Sequence, residues 1–144
     1  MIHHVPMYTA LLAAAMIVLQ NVLMLKIGKY RGSKRQGAGY GDDKDLERMV
    51  RGHANLAENA AIYLVTLGLY ELLVGQTIMV MVLAAVFGLA RLSHAYAFSS
   101  NAGSHGDGSK EELKHFLRFR FWGTALTGLC GLVLAVAIVV AVVI

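Results

Sequence analysis

Four apolar blocks, at 7–25, 56–74, 77–90 continuing to 98, and 121–144, divide a chain of 144 residues. Each is close to the roughly 20 residues that cross a hydrocarbon core of about 30 Å as a helix. Open strands would leave backbone groups unpaired in lipid, so segments of this kind must be helical. The chain is 57% hydrophobic and only 15% charged, with a mean hydropathy of +0.58. A soluble domain of this length could not cover so much apolar surface. These constraints predict an all-α integral membrane protein: a four-transmembrane-helix bundle in one domain over 1–144, with helices near 5–27, 46–74, 77–98 and 115–143. The first block is read as a retained helix. Only His3 and His4 stand where a signal peptide has its basic region, and the apolar run is too long for one.

All 13 Lys and Arg residues fall in two stretches. Lys26, Lys29, Arg31, Lys34, Arg35, Lys44, Arg48 and Arg51 surround the first connection. Arg91, Lys110, Lys114, Arg118 and Arg120 surround the third. The positive-inside rule then places loops one and three in the cytoplasm, and both termini and the short 71–77 turn outside. The same placement accounts for the net charge of +4, because the cations are juxtamembrane and interleaved with Asp42, Asp43, Asp45 and Glu47. Nucleic-acid binding is not indicated. The single Cys130 lies in the fourth block without an intrachain partner, so no disulfide framework is expected and it reads as a small hydrophobe.

Loop one, 28–45, is rich in Gly and charge and reads as a loose surface connection, with Asp45 capping a helix that starts near Leu46. Loop three contains the Gly- and Ser-rich insert 99–109, which reads as flexible. After it, 110–120 forms an amphipathic lead-in to helix four. Gly123, Thr127, Gly131 and Ala135 make a small-residue ridge on helix four, and Ala84 and Gly88 a shorter one on helix three. Such ridges let helices approach closely in lipid.

Polar residues interrupt this apolar plan in one region. Arg51, Asn55 and Glu58, spaced by four and three, share a helical face at the mouth of the second block. Ionisable groups near the membrane interior are costly and by default mark a site. His53 stands beside them, Arg91, His94 and Tyr96 lie near the end of helix three, Arg118 and Arg120 near the start of helix four, and Lys26 near the end of helix one. An excess of guanidinium over carboxylate suits an anionic ligand, since Arg holds carboxylates through paired hydrogen bonds. Glu58 and Asn55 are suited to an ammonium or amide. A small zwitterion with more than one carboxylate fits the set. A metal is not expected, because no His pair stands at i, i+4 and the arginines repel cations.

Arg51-xxx-Asn55-xx-Glu58 after Glu47-Arg48, followed one helix later by Ala90-Arg91-Leu92-Ser93-His94, resembles the MAPEG superfamily, the membrane-associated proteins in eicosanoid and glutathione metabolism. Arg51-Gly52-His53-Ala54-Asn55 is most similar to its prostaglandin E synthase and bacterial branches. The resemblance implies a homotrimer in a bacterial inner membrane, with glutathione as co-substrate bound between subunits near the cytoplasmic face. Carried onto this chain, it makes Arg51, Asn55 and Glu58 the grip on the tripeptide. Arg91 and His94 would line the cleft, with His53, Tyr96 and Lys26 beside it. Arg118 or Arg120 would be the catalytic cation that stabilises the thiolate. The chain departs from the pattern at Asn59, where some members have an aromatic residue, and in lacking a helix-two proline. It also has Phe98 seven residues after Arg91, where tyrosine is frequent.

Three functions follow as expectations. The first is a membrane-bound glutathione S-transferase, with or without peroxidase activity, that conjugates glutathione to a hydrophobic electrophile arriving from the lipid. The second is a catalytically degenerate membrane protein of the same family. The third is a small four-helix transporter that uses Glu58 as a proton-coupled carboxylate.

Overall fold

The computed structural model describes residues 5–100, 104–106 and 108–144. His3, His4 and four positions of the loop-three insert, 101–103 and 107, lie outside the described residues. Four helices follow one another: α1 (Met7–Lys34), α2 (Lys44–Val74), α3 (Ile78–Ser100) and α4 (Lys110–Val143). All four are long and apolar enough to cross a membrane, and the protein is a multi-pass integral membrane protein. α2 and α3 pack against each other in the middle, α1 against both on one side, and α4 against both on the other. The core follows from spacing. On α2, Leu56, Ala60, Tyr63, Leu67 and Tyr70 recur at intervals of four and three and are buried, which gathers them into one stripe. They meet Leu12, Met16 and Leu23 of α1, Val80, Leu83 and Phe87 of α3, and Cys130 and Leu134 of α4. The Tyr63 and Phe87 rings stack 3.7 Å apart, and the Tyr63 hydroxyl donates to the Leu83 carbonyl at 3.0 Å.

The helices outrun their apolar blocks. α1 does not stop near 27 but continues to Lys34, so 28–34 is helix rather than loose connection. Hydropathy marks where lipid ends, whereas a helix ends where its hydrogen bonds do. Arg31 and Lys34 in the last turn favour the negative end of the helix dipole. Arg35 closes the helix in a left-handed conformation, its N–H reaching the Arg31 and Gly32 carbonyls. α4 likewise begins at Lys110 instead of near 115. Ser109 and Glu112 form a capping box there, each side chain bonding the other's backbone N–H. The segment 110–120 and the apolar span are therefore one continuous helix.

The cap of α2 is Asp43, not Asp45. Asp43 is extended at φ −80, ψ 95 and its carboxylate accepts the Leu46 N–H at 3.0 Å. Asp45 lies inside the first turn, where its charge serves the dipole and not the cap. The Tyr30 hydroxyl of α1 also donates to the Asp43 carboxylate, at 3.1 Å. The Leu46 N–H holds this carboxyl below its usual range against an opposing effect of burial, and the Tyr30 hydroxyl adds a smaller lowering. The charged form is thus the one the fold prefers. Its contribution is complete above the ordinary carboxylate pKa and disappears as pH falls through the lowered value. Asp43→Asn retains the cap and should flatten that acid limb in thermal unfolding at pH 2–5, whereas Asp43→Ala should lower stability at neutral pH too.

At the opposite end, the connection between α2 and α3 is tight. Gly75 takes φ 78, ψ −166, a backbone region open mainly to glycine. Thr77 Oγ1 then accepts the Val80 N–H at 3.3 Å and starts α3. Beside this turn lies a carboxylate that sequence reading assigned only to the loop. Glu71 is fully buried and accepts the Tyr8 N–H at 2.9 Å, the Thr9 N–H at 2.8 Å and the Thr9 hydroxyl at 2.7 Å. α1 has no side-chain cap of its own, because Pro6 occupies the capping position. Glu71 caps it from the neighbouring helix, satisfying N–H groups that every helix start leaves free.

Candidate functional site

The site grows from two places where glycine lets helices touch. A methyl group at Gly123 of α4 would sit 2.8 Å from the His94 Cβ and 3.0 Å from the Ala90 carbonyl of α3. Only hydrogen fits there, so α4 lies close against the turn of α3 that carries Arg91 and His94. One at Gly52 of α2 would sit 2.7 Å from the Phe98 Cβ, which draws the same end of α3 onto α2. Gly123→Ala is therefore expected to cost about 1–3 kcal/mol in detergent unfolding, because backbone must move. Gly131→Ala, four residues after Thr127 and with open space before it, should be nearly neutral. The small-residue ridge thus divides: Gly123 packs, whereas Gly131 and Ala135 line a groove.

Held between these contacts, Arg91 is only 1% exposed. Its Nη2 donates to Asn55 Oδ1 at 2.6 Å and its Nη1 to Thr127 Oγ1 at 3.2 Å. The Thr127 hydroxyl spends its own hydrogen on the Gly123 carbonyl at 2.7 Å, which leaves a lone pair aimed at the guanidinium. The Arg91 Nε is buried with no partner, and so is His94 Nδ1. Among the described residues no carboxylate pairs with Arg91. A buried cation held by neutral groups alone, with a donor unused, is costly.

Arg91 stands at the polar end of a groove of about 460 Å³ between α2, α3 and α4. Asn55, Asn59, Thr124 and Thr127 flank it there, while Ile62, Tyr63, Phe87, Leu134 and Ala135 make the other end apolar. The groove opens on the outer surface of the chain, where Ile62, Thr124 and Gly128 are exposed. An anionic head and an apolar partner fit its two ends. Among the described residues there is no cluster of His, Cys, Asp or Glu that could hold a metal.

The other expected site residues distribute unevenly. His94 is buried and stacks on Phe98 at 4.8 Å between ring centres. Arg120 lies over the Phe116 ring at 6.0 Å, and Phe116 meets Phe98 edge-on at 5.3 Å. This aromatic chain connects Arg120 to His94. Arg118 points elsewhere, into a shallow outer hollow with Lys114, Leu117 and Phe121. Tyr96 faces α4, edge-on to Phe119 at 4.9 Å. Arg51 and Glu58 share the exposed face of α2 next to Asn55, without a hydrogen bond to the cluster. His53 turns the other way, toward α1, its Nε2 2.8 Å from Gln20 Nε2. Lys26 lies across the bundle, in a separate pocket of α1, α2 and α3.

Thr127 and Gln20 are partners that sequence reading missed. Thr127 was visible only as one member of the small-residue ridge, and its role depends on which side of α4 meets Arg91. The third loop joins the same end of the bundle: His105 Nε2 lies 3.0 Å from Glu47 Oε2 of α2. A comparison with curated proteins gives no significant match. The model of the MAPEG family, in contrast, matches residues 8–140, which takes in all four helices and every residue of the Arg91 groove. The chain belongs to the MAPEG family.

Proposed function

We propose that the protein is a membrane-bound glutathione S-transferase in which the Arg91 groove holds glutathione and its apolar end receives a hydrophobic electrophile. Members of the family are membrane-embedded and typically trimeric; they use glutathione and include glutathione transferases and related enzymes. The observation that carries the reading is Arg91 itself: a buried guanidinium with an unused Nε, no carboxylate partner among the described residues, and a groove in front of it. Glutathione supplies two carboxylates, one of which would neutralise that charge through charge-assisted hydrogen bonds. Asn55 positions Arg91, and Arg51 and Glu58 on the neighbouring exposed face would take the other carboxylate and the ammonium. The groove is open to the outside, so a second copy in a homotrimer would close it. The basic end of the bundle would face the cytoplasm of a bacterial inner membrane.

For the chemistry, Arg120 is favoured over Arg118 because it packs over Phe116 on the side of α4 that meets Phe98 and His94 of α3, whereas Arg118 lies in an outer hollow; neither lines the groove itself. A cation beside a thiol of pKa about 8.5 increases the thiolate fraction at neutral pH. The thiol gives its proton to solvent, the sulfur forms a bond to the electrophilic carbon, and a leaving group such as halide departs with its electron pair. A carrier built on Glu58 would need that carboxylate in an internal passage, and Glu58 stands on the exposed face of α2.

Conjugation of glutathione to an aryl halide by purified protein in detergent tests the assignment. Arg120→Ala should lower turnover by about 100-fold or more, the usual range for losing a group that stabilises developing charge, and Arg118→Ala should leave most of it. Loss in Arg118→Ala with activity retained in Arg120→Ala would reverse the roles. Binding of glutathione without turnover in the wild type would make the protein a member that binds and does not catalyse.

A further inference from the structure

The α2 wall of the Arg91 groove carries more polarity than an apolar span needs. Asn55, Asn59, Ile62 and Thr66 line it at intervals of four, three and four. One helix face therefore presents two amides and a hydroxyl over about 16 Å. Where each places its hydrogens decides what remains. Asn59 Nδ2 donates to the Asn55 carbonyl at 2.8 Å. An amide oxygen could not face that carbonyl, so the bond fixes which way the Asn59 amide points. It leaves Oδ1 as a free acceptor beside one remaining N–H. The Thr66 hydroxyl gives its hydrogen to the Ile62 carbonyl at 2.9 Å, and the Tyr63 hydroxyl gives its own to the Leu83 carbonyl. Thr127 does the same toward Gly123 while accepting from Arg91. Among the described residues no group donates to Asn59 Oδ1, although Asn59 is half-buried between the polar and apolar ends of the groove. An acceptor so placed gains from a ligand that brings a donor.

We infer that the electrophile taken by this groove carries an O–H or N–H donor, a hydroxyl or carboxamide, and that Asn59 is the residue that selects it. Asn59 Oδ1 accepts the donor while the apolar body lies against Ile62, Phe87 and Leu134. This selection rests on the glutathione transferase reading and narrows the second substrate from any hydrophobic electrophile to an amphipathic one. Position favours Asn59 over the other polar groups. It lies one turn beyond Asn55, next to the anion site but outside it. Thr127 is already engaged by Arg91, and Thr66 lies about 10 Å further along the helix. Thr124, on the α4 side, keeps a hydrogen of its own to donate and sets no demand for a donor. The reaction is unaltered: the glutathione sulfur bonds to the electrophilic carbon, its proton passes to solvent, and the leaving group departs with its electron pair. Asn59 decides which substrate is held, not how it reacts.

Two aryl chlorides of matched shape test this selection: 4-chloro-3-nitrobenzamide, whose carboxamide offers N–H donors, and 4-chloro-3-nitroacetophenone, which has a methyl group in place of the amide nitrogen. For each, kcat/KM is measured with glutathione and the full-length protein in neutral detergent, then divided by the uncatalysed rate constant so that intrinsic reactivity drops out. The wild type should favour the amide by about fivefold or more, the contribution of one neutral hydrogen bond. Asn59→Leu, and equally Asn59→Ala, should bring the ratio close to one, and losses common to both probes cancel in it. Thr66→Val should retain the preference. Turnover of both probes at equal corrected kcat/KM by the wild type would overturn the role of Asn59 and leave the glutathione reading standing. So would a preference that survives both Asn59 variants, or one that Thr66→Val abolishes. Turnover of neither probe would overturn both.

Discussion

Arg91→Met is expected to abolish glutathione binding while leaving the empty protein as stable as the wild type, or more so. These two effects point in opposite directions because the same guanidinium causes both. In the empty protein Arg91 is buried against Asn55 and Thr127 with no counter-charge among the described residues, an arrangement that burial penalises. Methionine fills similar length without that penalty. Thr127 still has the Gly123 carbonyl to bond, and Asn55 is only half-buried, so little is left unsatisfied. With glutathione present, the wild type should gain an ion pair that the variant lacks. Losing one partner of a buried charge pair costs about 2–5 kcal/mol, or at least about 30-fold in affinity. The wild type should therefore melt higher with rising glutathione, by the linkage between ligand and stability, and Arg91→Met should not. Thermal unfolding in detergent, with and without glutathione, reads both effects in one experiment. A variant that glutathione still stabilises would place the anion elsewhere.

Glu71→Ala should produce the largest loss of stability of any single substitution at the other end of the bundle. It removes a carboxylate that accepts three hydrogen bonds from the first turn of α1. The Thr9 N–H and hydroxyl are buried and would be left without a partner, at about 1–3 kcal/mol each, against a smaller loss at the half-buried Tyr8 N–H. A total near 3 kcal/mol is expected in reversible unfolding in mixed micelles. Glu71→Gln retains an acceptor oxygen for part of the set and should lose roughly half as much. Neither variant should alter glutathione affinity beyond what reduced folding explains, because the Arg91 groove contains no residue of α1. Unchanged stability in Glu71→Ala would mean that water, or Gln76, whose Nε2 donates to the Val5 carbonyl at 3.3 Å, takes over the cap.

These expectations differ in how far the sequence alone could reach. Hydropathy located all four spans, because lipid imposes a length and a composition on anything that crosses it. It misjudged where α1 and α4 end, since 28–34 and 110–114 are polar and their helicity is set by caps at Arg35 and Ser109 rather than by lipid. Asp45 and Asp43 show the same limit at smaller scale. Both are good capping residues, and the choice rests on Tyr30 reaching Asp43 from α1. Within the site, the 51-55-58 spacing correctly put Arg51 and Glu58 on one face with Asn55. The resemblance drew attention to Arg91 and His94. The Asn55–Arg91 bond joins residues 36 positions apart, and no periodicity encodes it. Thr127 was invisible as a ligand of Arg91, because a threonine on a glycine ridge looks like packing until the facing side chain is known. Glu71 carried a signal that went unread. It is the one carboxylate between Glu58 and Asp107, and an acid so isolated at the end of an apolar run calls for a partner. Its partners are backbone N–H groups, which no side-chain pattern announces.

In the proposed complex a glutathione carboxylate neutralises Arg91. Calorimetric titration of the wild-type protein with glutathione, in neutral detergent at pH 7, tests it most directly. Saturable binding is expected, lost in Arg91→Met and weakened by Asn55→Ala, which frees the guanidinium from its position. Absence of saturable binding by the wild type, or unchanged binding in Arg91→Met, would contradict it.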